Sequence, residues 1–271
     1  DYSICPQCGH LNGAHEDTDE FCDVIYSADG GTDYAKRYSA DDREAYWRRV
    51  EDIYTPKVKF MIEALESIGL DVEDQSFLDF GAGSGYFVAA GNKLGLNVGG
   101  YDVSAEQVRL AGEMVEPGCV QQHELDETIS LAASINASVV SMVGVLEHVQ
   151  KPREVLQALV SNPSVKYIFL SVPLFSPCVY FEMVFPSVMQ RQLVSGHTHL
   201  FTEASLKWTA QNFGLVSVAE WWFGTDTVDL FRSISVSLLQ NKNTSDMAAL
   251  WEQSFVDVID DVQLVMDKRH M

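Results

Sequence analysis

The chain of 271 residues is 46% apolar and 21% charged, proportions typical of a soluble globular protein with a sizeable core, so disorder of the whole chain is excluded. Its 39 acidic side chains outnumber the 18 basic ones and give a formal net charge of −21. Affinity for nucleic acids and anionic membranes depends largely on Lys and Arg, so the sequence predicts neither partner. No apolar run approaches the roughly 18 residues that a membrane-spanning helix needs.

Three of the five cysteines, Cys5, Cys8 and Cys22, fall in the first 22 residues. The count is odd, and the first residues lack the basic and then apolar segments of a secretory signal. A disulfide framework would need paired cysteines in an oxidising compartment. We therefore expect free or metal-bound thiols and a cytoplasmic location.

The predicted elements alternate between helices and short strands from residue 43 onward. Periodic apolar residues predict helices over 43–68, 86–94, 105–115, 152–162 and 205–213, and an acidic amphipathic helix from about residue 241. Short apolar runs predict strands over 76–80, 97–101, 119–122, 139–143 and 165–172, and the stretch 215–239 suggests a closing antiparallel pair.

This alternation predicts an α/β fold with a Rossmann-like, doubly wound sheet that is mostly parallel and has an antiparallel closing strand. We expect three segments along the chain. A cysteine-containing appendage would occupy residues 1–40, the α/β domain residues 41–240, and the C-terminal helix residues 241–271.

The glycine-rich sequence LDFGAGSGYF at residues 78–87 follows the first strand of this domain. Glycines allow the backbone to turn sharply and to approach a ligand closely. Asp102 ends the next strand, where a carboxylate can accept the two hydroxyls of a ribose. Asp79 lies directly before the glycines, where it would repel a pyrophosphate but suit an ammonium group. The pattern therefore favours an amino-acid nucleoside over a dinucleotide.

This loop, with Asp102, resembles the first motifs of class I S-adenosylmethionine-dependent methyltransferases. The segment VVSMVGVLEHVQKP at 139–152 resembles the fourth-strand motif of the small-molecule branch, in which LEH follows the strand. The segment HTHLFTEASLKWTAQNFGL at 197–215 is similar to a stretch after the fifth strand. The resemblance covers roughly residues 41–240 and implies an S-adenosylmethionine cofactor.

The resemblance also implies positions for the cofactor. The loop would hold its methionine part with Asp79 near the ammonium group, while Asp102 would bind the ribose. Glu124 falls where the family has an acidic residue that reaches the adenine. The complete implied set is Asp79, Gly81, Ala82, Gly83, Gly85, Asp102, Val103, Glu124, Met142 and Val143.

Methyl transfer to a hydroxyl requires a base, and three histidines are candidates. His148 follows the fourth strand at the edge where open α/β sheets bind ligands. His197 and His199 are two residues apart, so in an extended segment both would face the same side. A structural role for each of these histidines in a turn stays open as an alternative.

The stretch 174–202 is longer than a strand-to-helix connection needs, and such loops are often lids or binding loops. Its Tyr180, Glu182 and Arg191 are candidates to bind a compact polar acceptor. A partner or dimer surface would explain the same residues equally well. Tyr34 and Tyr38 are candidates to close over the cofactor.

The N-terminal sequence Cys5-Pro-Gln-Cys8 has the spacing of a zinc knuckle. Cys22 follows at a suitable distance, and His15, or alternatively His10, would complete a structural zinc site. Free thiols and redox activity remain alternatives. Some sugar and natural-product methyltransferases look similar, with a cysteine knuckle before the cofactor domain.

The sequence thus predicts a methyltransferase that acts on a small polar acceptor, such as a nucleotide-linked sugar, with oxygen favoured over nitrogen or carbon. Two alternatives stay open at this point. One is a quinone-type O-methyltransferase, because that group shares the LEHV segment. The other is a non-catalytic module that binds the cofactor or a protein partner.

Overall fold

The computed structural model describes residues 2–13, 22, 42–186, 192–193 and 197–270. The chain divides into two compact units. The first contains Ala14–Val172 and Lys207–Ala219, and the second contains Tyr2–Gly13, Pro173–Leu206 and Glu220–Met271.

Eight strands and ten α-helices are assigned among the described residues. The strands are β1 (Tyr2–Ile4), β2 (Leu11–Gly13), β3 (Phe77–Phe80), β4 (Val98–Asp102), β5 (Val120–Gln122), β6 (Val139–Val143), β7 (Tyr167–Ser171) and β8 (His199–Leu200). The helices are α1 (Arg43–Arg49), α2 (Thr55–Ser67), α3 (Tyr86–Lys93), α4 (Ala105–Met114), α5 (Thr128–Ser134), α6 (Pro152–Ser161), α7 (Pro177–Val184), α8 (Glu203–Asn212), α9 (Asp226–Gln240) and α10 (Ser245–Lys268).

The first unit is built on a five-stranded sheet in the order β5-β4-β3-β6-β7. All four neighbouring pairs are parallel, and Phe77 on the central strand aligns with Val98 on one side and Val139 on the other. Helices connect successive strands, as parallel pairing requires. The predicted doubly wound, Rossmann-like sheet is therefore confirmed.

The core of this unit lies on the central strands and on α3. Four of the five β6 residues are buried, and the first six residues of α3 are buried as well. Strands covered on both faces are mostly apolar, which explains why the sequence of residues 139–143 predicts a buried strand although it includes Ser141. The carboxyl ends of β3, β4, β5 and β6 meet at one edge of this sheet.

The predicted helix over 43–68 forms as α1 and α2 joined by a π-helical turn, Val50–Tyr54. Tyr46 and Tyr54 each stack on Tyr86 of α3, with ring centroids 4.5 and 5.1 Å apart. The hydroxyl of Tyr46 donates a 2.9 Å hydrogen bond to the carbonyl oxygen of Ser84. These contacts pack the helical segment 43–67 against the glycine loop and the start of α3.

The second unit contains a small antiparallel sheet in the order β1-β2-β8 and the helix pair α9 and α10. The C-terminal amphipathic helix is confirmed as α10. The antiparallel pair predicted over 215–239 is wrong, because residues Asp226–Gln240 are helical. That helix is specified by its contacts with α10, which include two hydrogen bonds from Thr227 to the buried Gln263.

None of the described helices is both long enough and apolar enough to cross a membrane.

Candidate active site

The glycine loop joins the end of β3 to the start of α3. Gly81, Gly83 and Gly85 have φ angles of 77°, 54° and 77°, a region that residues with a Cβ rarely adopt. The backbone N–H groups of Gly81 and Ala82 both donate to the carbonyl oxygen of Tyr101 on β4, at 2.8 and 2.9 Å. The loop is thus held against the neighbouring strand.

Gly81 also packs closely on the segment that follows β6. A Cβ at this position would lie only 2.5 Å from Cγ2 of Val145. A Cβ added at Gly83, by contrast, would have its nearest neighbouring atom 3.9 Å away, so this part of the loop is open. The loop therefore has one side closed by protein and another free to approach a ligand.

Asp102 ends β4 beside the loop, as predicted. Its two carboxylate oxygens accept hydrogen bonds from the backbone N–H groups of Gly83 and Ser104, both at 2.8 Å. Each carboxylate oxygen keeps a further lone pair for an incoming hydroxyl. Burial raises the pKa of Asp102 above its usual value, and the hydrogen bonds from the same two backbone N–H groups offset part of this rise. Val103 follows Asp102 directly and is half-buried.

Asp79 is buried at the end of β3 with 2% of its surface exposed. The hydroxyl of Ser141 on β6 donates to its Oδ1 at 2.6 Å. Burial, and to a lesser extent the charge of Asp102, raise the pKa of Asp79 to about 7, against the effect of the Ser141 hydrogen bond. The sequence did not single out Ser141, since a serine inside a buried strand carries no signal of its partner.

The end of β5 brings a further polar residue to the same edge. His123 is buried, its ring lies 5.9 Å from the ring of Phe80, and its charge acts to lower the pKa of Asp102. Glu124 is exposed and belongs to a capping box with Glu127 at the start of a 3-10 turn. His123 was missed by sequence reasoning, which considered only its acidic neighbour.

The two β6 residues predicted to line the cofactor differ in their surroundings. Met142 is completely buried, and its backbone pairs with Leu170 on β7. Val143 is half-buried and packs against the main core of the unit.

His148 lies in the turn between β6 and α6, where its backbone N–H donates to the carbonyl oxygen of Val145 at 3.0 Å. This turn is at the edge of the sheet that also carries the glycine loop. Its neighbour Glu147 is 3% exposed, and burial raises the pKa of that carboxyl group to about 8.

The other two candidate bases belong to the second unit. His199 lies on β8 opposite Asn12, and its Nδ1 is 3.3 Å from Nε2 of His10. Burial lowers the pKa of His199. The backbone carbonyl oxygen of His197 accepts a hydrogen bond from the hydroxyl of Tyr2 at 3.2 Å.

The candidate acceptor residues are also in the second unit. Tyr180 on α7 is 59% exposed and contacts Phe175 edge-on. Glu182 is buried, and its Oε2 accepts hydrogen bonds from the backbone N–H groups of Gln192 and Leu193 at 2.7 and 2.9 Å. Its Oε1 has no hydrogen-bond partner in the part of the chain that is described. Arg191 lies outside the described residues, as do Tyr34 and Tyr38.

The Cys5–Cys8 segment forms the turn between β1 and β2. The backbone N–H groups of Cys8 and Gln7 and the Cys8 side chain hydrogen-bond to the Cys5 thiol and lower its pKa. Among the described residues of this unit, no third Cys, His, Asp or Glu lies close enough to share an ion with both thiols. Cys22 is buried in the first unit, and His15 is not among the described residues.

Two carboxylates, Asp79 and Asp102, therefore border the glycine loop.

A comparison with protein-family models matches residues 46–220 to a family described as a methyltransferase domain. This chain belongs to that methyltransferase family. Because the match covers more than half of the chain, the predicted methyltransferase family is confirmed. A comparison with curated protein sequences found no match.

Solved structures similar to this chain include methyltransferases from two organisms. The magnesium protoporphyrin IX methyltransferase of Synechocystis PCC 6803, solved with bound SAH, is 15% identical and has a TM-score of 0.51, with 73% of this chain and 89% of that chain covered. A SAM-dependent methyltransferase from Archaeoglobus fulgidus is 18% identical with a TM-score of 0.45, and the alignment covers 66% of this chain and 78% of that one. The first likeness shows a shared fold.

The residues around the loop fit S-adenosylmethionine. This cofactor carries an ammonium group, a carboxylate and a positively charged sulfonium, and it has no phosphate. The open side of Gly83 and the remaining lone pairs of Asp102 suit a nucleoside, whereas the ionised carboxylate of Asp79 beside the loop would repel a pyrophosphate.

Proposed function

We propose that this methyltransferase acts on a small polar acceptor, with oxygen favoured as the methylated atom and a nucleotide-linked sugar or a similar biosynthetic intermediate as the substrate class. The observation that carries the proposal is the pair Asp79 and Asp102 on either side of the glycine loop, with His148 at the same edge of the sheet. We assign the methyltransferase domain to residues 41–240, with 1–40 and 241–271 as additions to it.

When bound, S-adenosylmethionine supplies a methyl group activated by a positively charged sulfur. In this proposal the buried carboxylate of Asp79 pairs with the ammonium group, held in orientation by Ser141. Asp102 accepts the ribose hydroxyls while Gly83 and Ser104 hold its carboxylate in place. Glu124 and Val103 complete the nucleoside site. Positioning of this kind can contribute roughly 7–11 kcal/mol to a transfer between two bound reactants.

His148 is the proposed general base that takes the proton from an acceptor hydroxyl. Its place after β6 supports the assignment, because ligands of open α/β sheets bind outside the carboxyl ends of the strands. An imidazole also titrates close to neutral pH, as a base for this purpose should. His197 and His199 remain proposed alternatives for the same role.

The acceptor itself is proposed to contact Tyr180, Glu182 and Arg191. Support comes from the exposed ring of Tyr180 and from Oε1 of Glu182, which has no partner among the described residues. The acidic net charge of the chain favours a small molecule over a nucleic acid as the acceptor. No disulfide joins the cysteines of the described residues, which supports a cytoplasmic location.

Two variants separate the proposed cofactor and base roles. Asp102→Ala should weaken the binding of S-adenosylhomocysteine by at least about tenfold, because hydrogen bonds to a charged group are worth roughly 1.5–3 kcal/mol. His148→Ala should leave that affinity unchanged and lower turnover by about 10²–10⁴-fold. Calorimetry measures the affinity, and release of S-adenosylhomocysteine with a panel of hydroxylated acceptors measures turnover.

Circular dichroism of both variants controls for unfolding. Unchanged affinity in Asp102→Ala would refute the ribose assignment, and full turnover in His148→Ala would exclude this histidine as the base. Binding of NAD with exclusion of S-adenosylhomocysteine would overturn the proposed cofactor site itself.

We also propose a structural zinc ion held by Cys5, Cys8, Cys22 and His15. Support comes from the Cys5–Cys8 turn, whose backbone N–H groups stabilise a thiolate at Cys5. Protein purified without chelators should contain about one zinc per chain, and Cys5→Ser with Cys8→Ser should lose it, as measured by mass spectrometry of the metal content. Metal-free protein whose thiols all react with a thiol reagent would contradict the proposal.

A further inference from the structure

The C-terminal helix α10 exposes an apolar stripe that the methyltransferase reaction does not explain. Five of its members are each between 44% and 53% exposed, and the sixth, a tryptophan, is half-buried. They recur at intervals of three or four residues and so share one side of the helix. The α10 stripe consists of Met247, Trp251, Phe255, Val258, Val262 and Val265.

This stripe borders the surface by which α10 contacts α9 and shares Trp251 with it, since Nε1 of Trp251 donates a 3.2 Å hydrogen bond to the carbonyl oxygen of Phe231. The contact surface includes Ala248 and Gln263, which are 3% and 6% exposed. A cavity of about 140 Å³ lies between the two helices and is lined by Leu230 and Phe231 of α9 and by four stripe residues, Trp251, Phe255, Val258 and Val262. The apolar surface is therefore a groove along the helix pair.

We propose that the α10 stripe is the seam of a homodimer, in which α10 packs antiparallel against α10 of a second copy. The stripe is nearly symmetric about the point between residues 256 and 257. Reversal about this point places Met247 opposite Val265, Trp251 opposite Val262, and Phe255 opposite Val258. Each bulky side chain then meets a valine.

This arrangement argues for a second copy over other occupants. The three large side chains are in the first half of the stripe and the three valines in the second half. Only an antiparallel copy sets the large half of one helix against the small half of the other, and a two-fold interface has this self-complementary form. Spacings of three and four residues are also those of helix–helix seams.

Charge and area are compatible with the dimer. The helix carries six acidic residues and one lysine, a composition that anionic membrane surfaces repel. Of the six, only Asp261 lies near the edge of the stripe, while Asp257 and Asp260 project from other sides of the helix. Six partly exposed side chains make a small interface, near the lower end for specific interfaces, so dimerisation should depend on concentration.

Sedimentation equilibrium of the full chain from about 1 to 100 µM should show a monomer–dimer equilibrium. Val258→Asp places a charge near the two-fold axis and should raise the dissociation constant by at least about tenfold. Val256→Asp is the matched control, since this valine is similarly exposed, at 54% against 47% for Val258, but projects from the other side of α10. The control should dimerise like the unmodified chain.

Cysteine cross-linking tests the direction of packing. In an antiparallel dimer the two copies of residue 247 are roughly 28 Å apart, at 1.5 Å per helical residue. Met247→Cys alone should therefore not cross-link on mild oxidation, whereas a mixture with Val265→Cys should, beyond the level seen in the unmodified chain. A monomer at all concentrations, equal dimerisation of Val258→Asp and Val256→Asp, or cross-linking of Met247→Cys alone would overturn the proposal.

Discussion

Two carboxyl groups, Asp79 and Asp102, determine the electrostatic character of the candidate site at the scale of single residues. They differ in environment, because Asp79 is buried beside Ser141 whereas Asp102 accepts two backbone N–H groups. Without a cation nearby, ionised Asp79 is unfavourable, as its raised pKa of about 7 shows. A bound ammonium group would remove this penalty.

The raised pKa of Asp79 makes stability depend on pH. A carboxyl whose pKa rises from 3.8 to about 7 on folding contributes full stability below pH 3.8, and the contribution is lost as pH rises to about 7. The loss amounts to at most roughly 4 kcal/mol, at 1.36 kcal/mol per pH unit. Asp79→Asn cannot ionise, so the ligand-free variant should gain stability relative to the unmodified chain at pH 8 and not at pH 4. Urea denaturation at both pH values measures the difference.

The same variant should bind S-adenosylhomocysteine more weakly, because it lacks the charge that pairs with the ammonium group. The affinity of the unmodified chain should rise between pH 6 and 8 as Asp79 ionises, and that of Asp79→Asn should not. Asp74→Asn, on the surface, is the control. Parallel pH profiles in the variant and the unmodified chain would argue against a role for Asp79.

At the scale of elements, two separate constraints require glycine in the loop: a positive φ angle and close contact with a neighbouring segment. Gly81 combines a φ of 77° with a Cβ position only 2.5 Å from Val145. Gly95 has a similar φ of 88°, but nothing lies within 4 Å of its Cβ position. The two glycines therefore separate the cost of backbone strain from the cost of a steric clash.

Gly95→Ala should lower the free energy of unfolding by about 1–2 kcal/mol, the cost of a left-handed residue with a Cβ. Gly81→Ala should lower it by roughly 2–5 kcal/mol, because overpacking adds about 1–3 kcal/mol. It should also weaken cofactor binding, since the loop must shift away from Val145. Guanidinium denaturation of both variants checks the prediction, and equal losses would show that the contact with Val145 is unimportant.

The region 215–239 shows how an element can be misread from sequence. The alternation of serine with apolar residues over 232–238 is typical of a strand, yet Asp226–Gln240 is a helix. Phe231 stacks on Trp251 of α10 with centroids 5.3 Å apart, and Thr227 bonds to Gln263. Tertiary packing thus overrides a weak local preference.

At the scale of the whole molecule, the net charge of −21 disfavours nucleic acids and anionic membranes as partners. The matched family region, 46–220, contains the sheet, the glycine loop and His148. The histidines His197 and His199 belong to the second unit, where His199 contacts His10. The proposed dimer seam lies outside the matched region, on α10, so loss of the dimer need not abolish the reaction.

The sequence by itself determined the five parallel strands, most of the helices, the glycine loop and the positions of Asp79 and Asp102. These features depend on local periodicity, on glycine conformations and on strand ends, all of which a sequence records directly. Only the tertiary structure decided that Gly83 bonds to Asp102, that Ser141 bonds to Asp79 and that His123 lies near the same edge. Those contacts join residues on different strands, and pairing between distant segments depends on packing, which local sequence does not specify.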